Sequence, residues 1–345
     1  MNEVLIFAAQ SLIVVVAFAA IIILIATMVA RNQGGSDLEI TPLDEKWKDL
    51  QFFMKSFTLD KAGMKAEKKR LKKEKKVAAK ADHDEDKGSV YVINFDGDIK
   101  ANQVDSLREE VNAILQIATA KDEVVVILES PGGIVSGYGL AASQVLRLRD
   151  RGIKVTSCVD EVAASGGYLM AVTSHQILAA PFAILGSIGV VAQVPNFNRF
   201  LKKHDVDFKE YTAGEFKRTV SIFGEITSAG EAKFKEQLEQ THHQFKDFVL
   251  RYRPNLQLQE IATGEYWYGE RALQLGLIDG IKTSDDYLFE KMDEKKPIFE
   301  VKYKQKVPLS EKLAELVSVT ASKMAESMTR GVTRTLTKEA TKPLI

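Results

Sequence analysis

The chain has a single cysteine, Cys158, so no internal disulfide can staple its fold and the redox compartment is left open. Histidine is scarce, five residues in 345, and no set of His and Cys has the spacing of a metal site, so no metal or other cofactor is implied. Net charge is absent too. A formal value of +0 excludes whole-protein steering toward nucleic acid, although the local charge distribution is strongly uneven. The residues before the first apolar run hold no Lys or Arg, so the basic region of a cleaved leader is missing. What the chain does have is 45% hydrophobic residues, enough for one large core or two ordinary ones.

Residues 4–30 are almost wholly apolar, interrupted by Gln10, Ser11 and Thr27, and no small-x-small cleavage site precedes Arg31. Such a run exceeds the roughly 30 Å hydrocarbon core of a bilayer at about 1.5 Å per helical residue, which predicts a retained transmembrane helix. Residues 31–88 read as a charged juxtamembrane linker. Trp47, Leu50, Phe52 and Phe53 are placed to pack on the domain or at the membrane interface, and a lysine-rich run from Lys61 to Lys80 predicts a solvated helix. Anionic lipid head groups are its sharper partner. Nucleic acid is not expected, because no aromatic residues interleave the lysines to stack bases. The basic excess after the apolar run points to a cytoplasmic domain by the positive-inside rule, which large domains override.

From Gly88 strands and helices alternate. Val90–Phe95, Val124–Leu128 and Lys154–Val159 read as strands, with helical spacing at Val104, Leu107, Val111 and Ile114 and again around Tyr138, Ala141, Val145 and Leu148. That alternation predicts α/β architecture with a mostly parallel sheet covered on both faces. The small-residue stretch Glu161-Val162-Ala163-Ala164-Ser165-Gly166-Gly167-Tyr168 is suited to display a serine at a strand-to-helix turn, and an ordinary close-packed turn explains it as well. Strand Val124–Leu128 runs into Glu129-Ser130-Pro131-Gly132-Gly133, where backbone N–H groups can point into a cleft as an oxyanion hole, or simply turn the chain.

A serine hydroxyl needs a base. His83 sits in a charge run and His242-His243 in a long helix, while His175 follows the serine too closely to serve without a special bend. A lysine held uncharged by burial does the same work, and Ser–Lys pairs are a known variant of the triad. Lys217, between Gly214-Glu215-Phe216 and Thr219-Val220-Ser221-Ile222-Phe223, has apolar cover at hand, whereas Lys202, Lys203 and Lys209 lie among charges. A surface lysine remains the default for any one position.

The strand ending in Ser-Pro-Gly-Gly, Ala-Ser-Gly-Gly-Tyr, Gly186-Ser187-Ile188-Gly189-Val190 and the Gly-x-x-Lys ending at Lys217 together resemble the signal peptide peptidase A family of membrane serine proteases, over residues 89–290. The resemblance implies Ser165 as nucleophile, Lys217 as general base, Ser187 as the residue orienting the lysine amine, and N–H groups around Gly132, Gly133 and Gly166 as oxyanion donors. It implies hydrolysis of peptide bonds in signal peptides or other hydrophobic peptides. It also implies a homo-oligomer whose sites are shared between subunits, and a single-pass location in a bacterial inner membrane with the catalytic part facing the periplasm. That last point runs against the positive-inside reading.

Downstream, the apolar stretch Ala183–Val194 reads as a buried core strand, and Ser228–Tyr252 as a long helix opened by a Ser-x-x-Glu capping box. Gly269–Gly280 reads as helix, glycine cap, then strand, and resembles the segment closing the Clp protease and crotonase folds. It implies a spiral of β-β-α repeats, and no histidine follows the serine at the distance the Clp pattern has. Residues 291–345 form an extension with an amphipathic helix marked by Leu313, Leu316, Val317, Thr320, Met324 and Met328. Two rival readings remain at this stage: an acyl-thioester enzyme of the crotonase type, and a non-catalytic membrane scaffold.

Overall fold

The structure, a computed structural model, describes residues 37–78 and 88–304. Its strands are β1 (Leu38–Pro42), β2 (Val90–Asp96), β3 (Glu123–Glu129), β4 (Lys154–Val159) and β5 (Val162–Ala164) in the first half. The second half supplies β6 (Gln176–Ala179), β7 (Ile184–Gly186), β8 (Tyr266–Tyr268), β9 (Gly280–Ile281) and β10 (Ile298–Tyr303). Seven of them form one sheet in the order β1-β10-β2-β3-β4-β6-β9, parallel except for β1 at the edge. The other three form a small sheet, β5-β7-β8.

Side chains alternate across a strand, so a strand apolar at every position must be covered on both faces. β3 shows this directly: Val124, Val126 and Leu128 enter the larger core, while Val125 enters the second, with Val92, Cys158 and Leu178. The helix Val104–Ile117 covers the first face through Leu107, Val111 and Ile114, and the helix Val135–Asp150 through Tyr138, Ala141, Val145 and Leu148. Each such aliphatic side chain contributes about 1.5–3 kcal/mol by leaving water.

A unit of long strand, short strand and helix recurs along the chain. β4 passes into β5 and the helix Gly166–Ala171, and β6 passes into β7. After β3 the short strand shrinks to a single bridge, Ser130 paired with Ala163, before the helix Val135–Asp150. Because β3, β4 and β6 run parallel, the short strand or bridge that follows each lies beyond the same end of the large sheet. The serine stretch is in that second layer.

Some elements differ from the sequence reading for identifiable reasons. The stretch expected as a strand over 183–194 is a strand only at β7, because Gly186 (φ +91) and Ser187 (φ 51) turn the chain, and Val191–Phe197 is exposed. The long helix Ser228–Tyr252 begins one residue later than its cap: the Thr227 hydroxyl, not that of Ser228, accepts the Gly230 N–H. The sheet also draws β1 and β10 from either side of 89–290, and the compact unit runs Leu38–Tyr303. The apolar run 4–30 and the amphipathic helix expected after Pro308 lie outside the described residues. Among those described, no helix is long and apolar enough to cross a membrane.

Glu110, on the helix Val104–Ile117, is buried where that helix meets the end of β10. One carboxylate oxygen accepts the Tyr303 N–H at 2.9 Å, and the other has no partner among the described residues. Burial pushes its carboxyl up to about 7, against the Tyr303 hydrogen bond and the charge of Lys302. A raised carboxyl favours the folded state below the unfolded value of 4.5, and that contribution is lost as pH rises through 7. Glu110→Gln is therefore expected to stabilise the protein by on the order of 3 kcal/mol at pH 8, and far less at pH 4. Denaturant midpoints at the two pH values check this.

Candidate active site

Ser165 sits between β5 and the helix Gly166–Ala171 with φ 51 and ψ −116. A non-glycine residue held there costs about 1–3 kcal/mol and persists only where its surroundings enforce it. They do so here. The Ser165 N–H donates to the Gly186 carbonyl of β7 at 2.8 Å, and its own carbonyl accepts the Leu169 N–H at 2.9 Å. The small residues around it are required by packing, since a Cβ on Gly166 would collide with the Tyr138 ring and one on Gly167 would lie 2.6 Å from the Ser130 carbonyl oxygen. The Gly166 N–H has no acceptor among the described residues.

The Ser130-Pro131-Gly132-Gly133 loop lies directly against this turn. Gly132 has φ +86, and a Cβ there would lie 2.6 Å from the Gly166 nitrogen and 2.7 Å from the Ser165 Cβ. A buried relay fixes the loop: the Gly132 N–H donates to the Ser130 hydroxyl at 3.1 Å, Ser130 meets the Tyr138 hydroxyl at 2.5 Å, and Tyr138 donates to the Asp98 carbonyl at 2.8 Å. Since Tyr138 gives its proton to Asp98, Ser130 must donate to Tyr138. Burial pushes the Tyr138 hydroxyl up, which keeps it a donor at neutral pH. Ser130 and Tyr138 were not legible as site residues, although Ser130 lies inside the Ser-Pro-Gly-Gly pattern. Tyr138→Phe should lower kcat about tenfold by loosening Gly132, the scale of one buried hydrogen bond, with KM little changed. Steady-state peptide cleavage checks the split.

Glu129, at the end of β3, secures the approach from the other side. Its carboxylate accepts the N–H groups of Asp160, Glu161 and Val162 at 2.8–3.2 Å, pinning the start of β5. Burial raises its carboxyl, against those three hydrogen bonds.

Ser187 follows Gly186, the residue whose carbonyl holds the Ser165 N–H, and its own N–H donates to the Glu265 carbonyl at 2.7 Å. Ser187 thus adjoins the residue that accepts the Ser165 N–H. Lys217 is not paired with either. It lies in an irregular exposed stretch with its N–H on the Gly214 carbonyl at 3.2 Å, and no hydrogen bond or ion pair engages its amine among the described residues. The cover expected from its neighbours is half built: Ser221 is buried, while Ile222, Phe223 and Phe216 are each 40–44% exposed.

The four described histidines have other contacts. His175 accepts the Val155 N–H through Nδ1 at 3.0 Å, and burial pushes it down. His242 Nε2 meets the Ile188 carbonyl at 3.2 Å, so that nitrogen carries a proton and cannot accept one. His204 packs on Phe200, and His243 pairs with Asp247. Among the described residues none of the four is hydrogen-bonded to Ser165.

Comparison with known proteins gives this arrangement a context. The model of the N-terminal part of peptidase family S49 matches residues 1–145, and that of peptidase family S49 matches residues 147–297. The probable protease SohB of Haemophilus influenzae is 46% identical over 327 residues, covering 92% of each chain. A protein of the same description from Buchnera aphidicola of Acyrthosiphon pisum is 51% identical over 208 residues, 60% of this chain and 62% of the relative. Among solved structures, a mutant of the 1510-N membrane-bound stomatin-specific protease in complex with a substrate peptide aligns with a TM-score of 0.35 and 19% identity, over 59% of this chain and 80% of that one. The two family matches together span residues 1–297, a relative of 46% identity covers 92% of the chain, and the chain belongs to peptidase family S49.

Proposed function

We propose that this peptidase is a membrane-anchored serine endopeptidase of Ser–Lys type, built on a Clp protease and crotonase-like spiral. The observation that carries the reading is the strained turn at Ser165, φ 51, followed by a Gly166 N–H that has no acceptor among the described residues and backed by Gly132. Proteins hold a serine this way at the cost of strain where its hydroxyl must be displayed.

In the mechanism, the neutral amine of Lys217 removes the proton from the Ser165 hydroxyl as the oxygen attacks the scissile carbonyl. The negative charge that develops on the carbonyl oxygen is met by the Gly166 N–H and by N–H groups of Gly132 and Gly133. The Gly132 N–H already has Ser130 as acceptor at 3.1 Å, a long bond that an oxyanion can outcompete. The protonated lysine then gives its proton to the leaving amine. Water, deprotonated by the same amine, hydrolyses the acyl-enzyme. Ser187 orients the amine.

A lysine acts as a base only when it is kept from water. Within one chain Lys217 is exposed, so its cover comes from a second copy, and the exposure of Tyr211 (89%), Val191 (82%) and Phe182 (82%) supports a contact there. We place the chain in a bacterial inner membrane through residues 4–30, acting on signal peptides or other hydrophobic peptides near the bilayer. The test is digestion of casein and of a synthetic signal peptide by the full chain in detergent, with a chelator present. Cleavage of neither would remove the reading, and full activity from a species that sediments as a monomer would remove the shared site.

A further inference from the structure

The helix Leu43–Thr58 carries one apolar stripe with two fates. At its start Leu43 is buried, and Trp47 packs on the Phe289 ring at 4.9 Å. Leu50, Phe53, Met54 and Phe57 continue the same stripe at helical spacing, yet they are 56%, 57%, 59% and 74% exposed. The domain therefore covers the first third of the stripe and leaves the rest overhanging. An open run of this kind on a surface helix marks an interaction site.

We propose that this overhanging face lies in the head-group region of an anionic bilayer, as an interfacial helix beside the membrane anchor. Two observations choose lipid over a second copy of the chain. The first is distance along the chain. Twelve residues separate Ala30, the end of the apolar run, from Leu43, where the helix begins, and twelve extended residues reach about 40 Å at most. The helix of sixteen residues is itself about 24 Å long, so the anchor keeps its start within about twice its own length of the bilayer.

The second is charge. The next helix, Lys61–Ala78, starts at once, with the Asp60 carboxylate accepting the Gly63 N–H at 2.7 Å, and the Lys55–Glu67 ion pair at 2.8 Å ties it to the first. Between Lys61 and Lys73 it presents seven basic side chains, all exposed, against Glu67 as its one acid over that span. A protein partner of that charge would have to be acidic, and the neighbouring copy offers the same basic helix, which repels it. Anionic head groups match both the apolar stripe and the cations around it. The consequence is orientation: the peptidase core is held to the membrane at two points and cannot swivel freely about the anchor.

The proposal rests on the anchor reading, so the experiment separates them. Phe57→Cys and Lys48→Cys are made in the full chain, whose own Cys158 is buried, and labelled with a polarity-sensitive fluorophore. The labelled chains are mixed with vesicles of neutral lipid, or of neutral lipid with three-tenths phosphatidylglycerol, carrying lipids with spin-labelled head-group-proximal chains. The expected result is quenching at 57 at least twofold greater than at 48 in the anionic vesicles, falling when Lys68, Lys69, Lys72 and Lys73 are changed to Glu. Equal quenching at the two positions overturns the proposal, as does a blue-shifted but unquenched probe at 57, which would mean a protein covers the face. Flotation after carbonate washing reports residues 4–30 independently: a chain that floats without quenching at 57 keeps the anchor and loses the interfacial helix.

Discussion

Ser165→Ala and Lys217→Ala should each lower kcat/KM for peptide cleavage by about 10⁴-fold or more, and the double variant should be little worse than either single one. Residues that act as a unit are strongly non-additive, because removing either leaves only the oxyanion donors and binding. Stability distinguishes this from unfolding. Ala at φ 51 keeps the strain of Ser165, so the melting temperature should hold, whereas Ser165→Gly relieves it and should stabilise by about 1 kcal/mol while abolishing activity. A shared site makes a sharper claim. Mixing Ser165→Ala subunits with Lys217→Ala subunits should restore about a quarter of wild-type activity, the fraction of interfaces that unite an intact serine with an intact lysine. Activity that stays at the single-variant level after mixing, with exchange verified, would place both groups on one chain.

The second large effect is expected at Gly132. Its φ of +86 is strained for any side chain, and a Cβ would press on the Gly166 nitrogen at 2.6 Å and on the Ser165 Cβ at 2.7 Å. Gly132→Ala thus moves the oxyanion donors and the nucleophile apart at once. The expected loss is about 10²–10³ in kcat, the scale of one oxyanion donor, with a much smaller change in KM. Gly139 supplies the control. It lies on the helix Val135–Asp150 with nothing within 4 Å of a Cβ, so Gly139→Ala should leave activity alone and add up to about 1 kcal/mol of stability. Matching losses from the two substitutions would show that the glycines act only through stability.

The sequence carried the parts of this architecture that depend on periodicity and local turn chemistry. Val124–Leu128 was recognisable as a buried strand because every position is apolar, and Ser228–Tyr252 as a helix because Phe234, Leu238, Thr241, Phe245, Phe248 and Val249 recur on one stripe over about four turns. The Gly-Gly and Ala-Ser-Gly-Gly stretches announced a tight approach, and the structure shows what they approach: each other, and Tyr138. The rest was hidden because it depends on distant pairing. Ser130, Tyr138 and Asp98 form one relay across 40 positions, and Glu129 reaches three N–H groups over 30 positions away. Neither leaves a local pattern. The cap of the long helix was misplaced by one residue because Thr227 and Ser228 are chemically equivalent candidates, and only the backbone at Thr227, ψ 154, is extended as a cap requires. The apolar cover read around Lys217 is the instructive case. Its neighbours are hydrophobic as the sequence says, but Phe216, Ile222 and Phe223 stay partly exposed in a single chain, and local composition does not reveal that.

The most direct measurement is mapping of a fluorophosphonate adduct by peptide mass, in the assembled full-length protein, across pH 6–10. The account predicts one adduct, on Ser165, forming at a rate that rises with pH as an amine loses its proton, absent from Lys217→Ala chains alone and regained when they are mixed with Ser165→Ala chains. An adduct on any other residue, or labelling of Ser165 at the wild-type rate in Lys217→Ala at every pH, would contradict it.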